Sequence, residues 1–250
     1  MIELLLIAIP LIYYLLMIFI NFFNIRNIIK LNNQLNKNKV FIITDNYCKC
    51  NQKKHLFLGL YYYSICDLCK ITNVIDHQKK DHIDYLISNM KPNSELKLIL
   101  NTSSIISKNI HLLCFLIKKN NIKLTCYIDK HVYGSAIFLA LLSRELNYNW
   151  YSRMKPIENN IKYDENSDKN YYDEKYKVYF ENYNDLSYLI DTLFNNSSCA
   201  TKIKKKFTNT NLVNIYYDFN DIKKIKSNIA YKNNIPEEIK EINQSYENLL

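Results

Sequence analysis

NIKLTCYIDKHVYGSAIFLALLSREL, residues 121–146, decides how the chain is read. Lys123 to Ile128 is a short run rich in apolar and β-branched residues, which reads as a strand. A charged turn follows, and Ser135 to Leu146 then reads as an apolar helix that opens on two small residues, Ser135 and Ala136. Working outward, the same alternation recurs. Leu96 to Leu100 is a short apolar strand and Ile105 to Lys119 an amphipathic helix. Asp76 to Met90 has helical spacing through Ile75, Ile83, Leu86 and Ile87, Leu56 to Ser64 is an aromatic strand region, and Val40 to Thr44 is a strand. Downstream, Val178 to Phe180 and Leu212 to Tyr217 read as strands, and Asp185 to Phe194 and Pro236 to Leu250 as helices. Strands alternating with helices of this length imply βαβ crossovers, and hence an α/β fold with a largely parallel sheet and flanking helices. The polar stretch 158–175 has no periodicity and reads as a flexible loop within that domain.

The amino terminus is of another kind. From Leu4 to Phe23 the sequence LLLIAIPLIYYLLMIFINFF carries no formal charge. At about 1.5 Å per residue, some 20 residues span about 30 Å of hydrocarbon, so this is a transmembrane helix candidate. Glu3 precedes it and no small-residue cleavage site follows, which argues against a removable signal peptide. Arg26, Lys30, Lys37 and Lys39 lie after the span and only Glu3 before it, so the expected topology is single-pass with the body on the cytoplasmic side. The expected division is an anchor over 1–24, a basic juxtamembrane segment over 25–39, an α/β domain over 40–200 and a basic C-terminal extension with a helix over 201–250.

Composition narrows the chemistry. The chain has 250 residues but only two glycines, Gly59 and Gly134. It therefore cannot supply a glycine-rich dinucleotide turn, a phosphate-binding loop or a G-x-S-x-G nucleophile elbow. The 22 tyrosines and 35 asparagines accompany a lysine-rich composition that A/T-rich codons favour, which weakens any argument from the net charge of +9. The lysines are scattered and no aromatic and basic nucleic-acid module is legible, so nucleic acid is not an expected partner. Seven cysteines, an odd number without small-scaffold spacing, read as reduced thiols. Cys48-x-Cys50 and Cys66-x-x-Cys69, with His55 between them, could hold a tetrahedral zinc ion. The competing reading is free thiols and no cofactor at all.

Four segments taken together, LKLILNTSS at 96–104, NIKLTCYID at 121–129, VYGSAIFLALLSREL at 132–146 and SRMKPIEN at 152–159, resemble the core of the serine dehydrogenase proteinase family. Its members are membrane-associated relatives of SppA-type signal peptide peptidases in the ClpP/crotonase clan. The resemblance covers most of residues 40–160 and implies a ClpP/crotonase-like fold and a homo-oligomer. Aligned through Ala140-Leu141 and Arg144-Glu145, it places the family nucleophile on Gly134, with Ser135 on the small residue that follows. It places the oxyanion turn on Ser104 and Ile105, where the family has paired glycines, and the substrate groove on Thr102, Ala136 and Pro156. No histidine stands where the family would lead one to look for a base. His131 is nearest in sequence, and Lys130 and the lysines within 202–206 could form a Ser–Lys dyad only formally.

Three functions follow. The first is a membrane-anchored, serine-peptidase-like protein without catalysis, acting as a binding or assembly module for a peptide or protein ligand. The second is an active membrane-bound serine peptidase using Ser135. The third is a non-enzymatic adaptor whose juxtamembrane cations meet anionic lipid.

Overall fold

The computed structural model describes residues 2–44, 54–57, 60–63, 71, 73–76, 80–102, 108–155, 186–195, 197–207 and 217–249, those of 2–10, 17, 20, 21, 23, 24, 54–57, 60–63 and 80 by backbone alone. Ser104, Ile105, Pro156, the four cysteines Cys48, Cys50, Cys66 and Cys69, the loop 158–175 and the strand-like run 178–180 lie outside the described residues.

Six strands form one all-parallel sheet. They are β1 (Val40–Thr44), β4 (Val74–Asp76), β5 (Glu95–Asn101), β6 (Lys123–Ile128), β8 (Glu145–Tyr148) and β10 (Ala230–Lys232), ordered β10-β8-β6-β5-β1-β4. Two smaller pairs accompany it: an antiparallel hairpin of β2 (Lys54–Phe57) with β3 (Leu60–Tyr63), and a parallel pair of β7 (His131–Tyr133) with β9 (Arg153–Lys155). The helices are α1 (Ile2–Asn38), α2 (Lys80–Ser88), α3 (Lys108–Lys119), α4 (Ala136–Leu142), α5 (186–194), α6 (Ser198–Phe207), α7 (Phe219–Ile225) and α8 (Glu237–Glu247).

The sheet is parallel because its central strands bury both faces. VFIIT, ELKLILN and KLTCYI are nearly continuous apolar runs, the pattern of strands covered by helices on either side. One face packs against Ile28, Leu31 and Leu35 of α1 and Ile239, Ile242 and Tyr246 of α8. The other packs against the apolar faces of α2 through α7, among them Ile83, Leu113, Phe138, Ile190, Ile203 and Ile222. Residues 201–250, read from sequence as a basic extension with a helix, thus supply the edge strand β10 and the covering helix α8.

Glycine is so scarce that other residues take left-handed backbone positions. Lys39, Asn93, Asn121 and Asn195 all have φ between 51° and 60°. Asparagine tolerates this region better than most side chains. Lys39 ends α1 with its N–H on the Asn36 carbonyl at 3.2 Å, so a single residue turns the chain from α1 into β1.

Several boundaries differ from the sequence reading. Ile75 belongs to the buried strand β4 and not to a helix, and α2 begins only at Lys80. The aromatic region at 56–64 contains a hairpin of two strands. The apolar helix expected from Ser135 to Leu146 ends at Leu142. Ser143 is extended (φ −61°, ψ 145°) and its Oγ donates to the Ala140 carbonyl at 2.6 Å, and Glu145–Tyr148 then joins β6. Hydrophobicity cannot mark this break, because helix and strand are both buried.

α1 changes character along its length. From Ile28 onward it presents a buried stripe, whereas Leu11, Ile12, Leu15, Leu16, Phe19 and Phe22 are between 54% and 64% exposed. Among the described residues no helix is long and apolar enough to cross a membrane. The stretch 4–23 is helical in backbone, but many of its side chains lie outside the described ones.

Candidate functional site

Ser135 follows β7 and a single glycine. Gly134 has φ 56°, a left-handed turn that a Cβ would crowd, and it reverses the chain from β7 into α4. Ser135 then stands at the amino-terminal boundary of α4. A serine there ordinarily has extended backbone and accepts a bond from a first-turn N–H. Ser135 instead is helical (φ −62°, ψ −26°) and its side chain makes no capping bond. Its Oγ lies 2.9 Å from Nε2 of His111.

His111 comes from the first turn of α3, beside the buried stripe Ile110, Leu113, Cys114 and Ile117. Its ring meets Phe138 of α4 edge-on, with centroids 6.2 Å apart at 71°. Ser135 is 2% exposed, whereas His111 is only half-buried. Thr102, just past the end of β5, is buried and its Oγ1 donates to the Tyr133 carbonyl at 3.5 Å. The end of β5, the start of α3 and the β7–α4 turn therefore converge outside the carboxyl ends of the strands, where open α/β sheets bind ligands.

This overturns one part of the sequence reading: a histidine does stand beside Ser135. His111 precedes the serine by 24 residues, where a base of the family type was not sought. One topological signal was available. A crossover from β5 to β6 starts its helix above the carboxyl edge of the sheet, the same edge at which the β7–α4 turn sits. The alignment that placed the family nucleophile on Gly134 was anchored on Ala140-Leu141 and on Arg144-Glu145 as parts of one long helix, and that helix ends before Arg144. Ala136 is buried at the first position of α4. His131 is exposed and lies edge-on to Tyr133. Lys130 is bound to Glu247 at 2.7 Å and Lys204 to Asp191 at 2.5 Å.

Chemically, an imidazole nitrogen at hydrogen-bond distance from a serine hydroxyl is an arrangement that can take the hydroxyl proton in acyl transfer. In the tautomer protonated on Nδ1, Nε2 accepts the Oγ–H. The nearby thiols are not rival nucleophiles: burial pushes both Cys114 and Cys126 far up, which keeps them protonated. Among the described residues no group of three or more His, Cys, Asp or Glu side chains could hold a metal ion.

A second polar cluster closes the end of β6. Asp129 Oδ1 accepts from Asn149 Nδ2 at 2.5 Å and from Tyr151 Oη at 3.0 Å, and its Oδ2 accepts from Asn243 Nδ2 at 3.1 Å. Together with Lys130–Glu247, it ties α8 to the loop between β8 and β9.

No protein-family model matches the chain, and no curated protein matches it. Among solved structures, ClpP1 from Listeria monocytogenes is similar over 83% of this chain and 96% of that one, with 12% identity and a TM-score of 0.39.

Proposed function

We propose that the chain is a membrane-tethered serine hydrolase of peptidase-like type, in which Ser135 is the nucleophile and His111 its general base. One observation carries this reading: the Ser135 hydroxyl is withheld from helix capping and held 2.9 Å from His111 Nε2. In the reaction Oγ attacks an acyl carbon while His111 takes its proton, and the proton then passes to the leaving group as the acyl–enzyme forms. The chemistry calls for no cofactor. A peptide or protein segment is the substrate class, and a homo-oligomer the assembly, that accompany the resemblance of residues 96–160 to serine peptidases. The tether is supported by the exposed apolar side chains of α1 between Leu11 and Phe22.

The second reading, a catalytically silent binding module, is favoured by the 2% exposure of Ser135, since a buried serine–histidine bond also serves packing. Labelling with a fluorophosphonate separates the two. The hydrolase reading expects stoichiometric modification of Ser135, with fluoride released, and its loss in Ser135→Ala and in His111→Ala. An unlabelled, folded wild-type chain would establish the silent module.

A further inference from the structure

After residue 24, α1 has two faces. Ile28, Leu31 and Leu35 are buried against the sheet and α8. On the opposite side Arg26, Lys30, Asn33 and Lys37 succeed one another in steps of four, three and four residues. At about 100° and 1.5 Å per residue this keeps them within about 60° of arc along about 16 Å of helix. A cavity of 630 Å³ lies along this face, its lining including Arg26, Asn27, Lys30, Asn33, Gln34 and Lys37. Three of these carry positive charge, and none of the described lining residues is acidic. Arg26 stands three residues beyond the apolar stretch that ends at Phe23.

We propose that this cavity binds the headgroup of an anionic phospholipid. Arg26 and Lys30, one turn apart and nearest the apolar stretch, hold the phosphoryl oxygens. Lys37 adds positive potential from further along the helix. Phosphate diesters suit such a cation pair, and the adjoining apolar helix supplies the surface against which acyl chains lie. The assignment rests on the membrane tether proposed above.

The test uses the full chain in neutral detergent micelles, titrated with dioctanoyl-phosphatidylglycerol and followed by native mass spectrometry. One phosphatidylglycerol per chain is expected to be retained in preference to dioctanoyl-phosphatidylcholine, with binding that weakens as salt is raised. The variant R26Q/K30Q/K37Q is expected to bind about 100-fold more weakly, and Lys30→Gln alone about 5-fold, both with unchanged thermal unfolding because these side chains face away from the core. Equal retention of phosphatidylcholine, or wild-type affinity in the triple variant, would overturn the proposal. Displacement of the lipid by an equal concentration of inorganic phosphate would also overturn it, by showing a site for free anions. Alkaline carbonate extraction of membranes holding the protein reads the tether separately: a chain that washes out defeats the tether, while the micelle titration still judges the cavity.

Discussion

At the scale of single residues, Ser135, Gly134 and His111 decide whether this molecule does chemistry. The left-handed turn at Gly134 lets the serine enter α4 with helical backbone and its hydroxyl toward α3. Gly134→Ala forces a Cβ into that turn. It is expected to lower stability by about 1–2 kcal/mol in denaturant unfolding, and to reduce labelling of Ser135 by more than the folded fraction falls, because the hydroxyl is re-aimed. Gly134→Ser meets the same crowding and is expected to add no hydrolysis. For His111 the informative change is His111→Phe, which keeps an aromatic edge toward Phe138 but removes the proton acceptor. Labelling is expected to drop by about 10²–10⁴ while thermal unfolding stays close to wild type; equal labelling would remove His111 from the mechanism. The sequence showed Gly134 and Ser135 side by side at a helix start. It hid His111, because a partner 24 residues upstream on a different helix leaves no local pattern.

At the scale of elements, periodicity and burial parted company in an instructive way. β1 and β6 were legible to the residue, since each is a short apolar run bounded by polar residues. The amphipathic α8 was legible from its spacing. The three-residue strands β7, β9 and β10 were not, because three residues carry no period and owe their existence to a neighbour's ladder. The break between α4 and β8 was hidden by continuous burial. α8 earns its place through contact with the sheet, so Ile242→Ala, at a fully buried position, is expected to cost about 2–5 kcal/mol in denaturant unfolding.

The ion pair between β10 and β8 should matter far less. Burial pushes the Glu145 carboxyl up, but hydrogen bonds from Lys232 and Asn147 and the charge of Lys232 outweigh it, and the net shift is downward. A carboxyl lowered in the folded state contributes stability above its unfolded range and loses it as pH falls through the folded value. Lys232→Ala is therefore expected to soften the acid limb of the stability curve by less than about 1 kcal/mol, the pair being largely exposed.

At the scale of the whole molecule, the core and the amino-terminal half of α1 are separable. Among the described side chains of α1 the first buried one is Ile28, and every apolar contact that α1 makes with the sheet and α8 lies at or beyond it. A chain lacking residues 2–23 removes only side chains that, where described, face outward, including Leu11, Leu15, Phe19 and Phe22. Such a chain is expected to unfold at the same temperature as the full protein and to keep its fluorophosphonate labelling, since β7, α3 and α4 are untouched. It is also expected to leave the membrane fraction in alkaline carbonate, whereas the full chain is expected to resist it. An exposed apolar helix gains roughly 25 cal/mol for each Å² removed from water. Burial of these side chains in a bilayer would collect that gain. If the shortened chain aggregates or melts early, residues 2–23 pack on protein and the tether is a structural helix instead. If it stays folded but remains with membranes, the cationic face at Arg26, Lys30 and Lys37 holds the chain there without the apolar stretch.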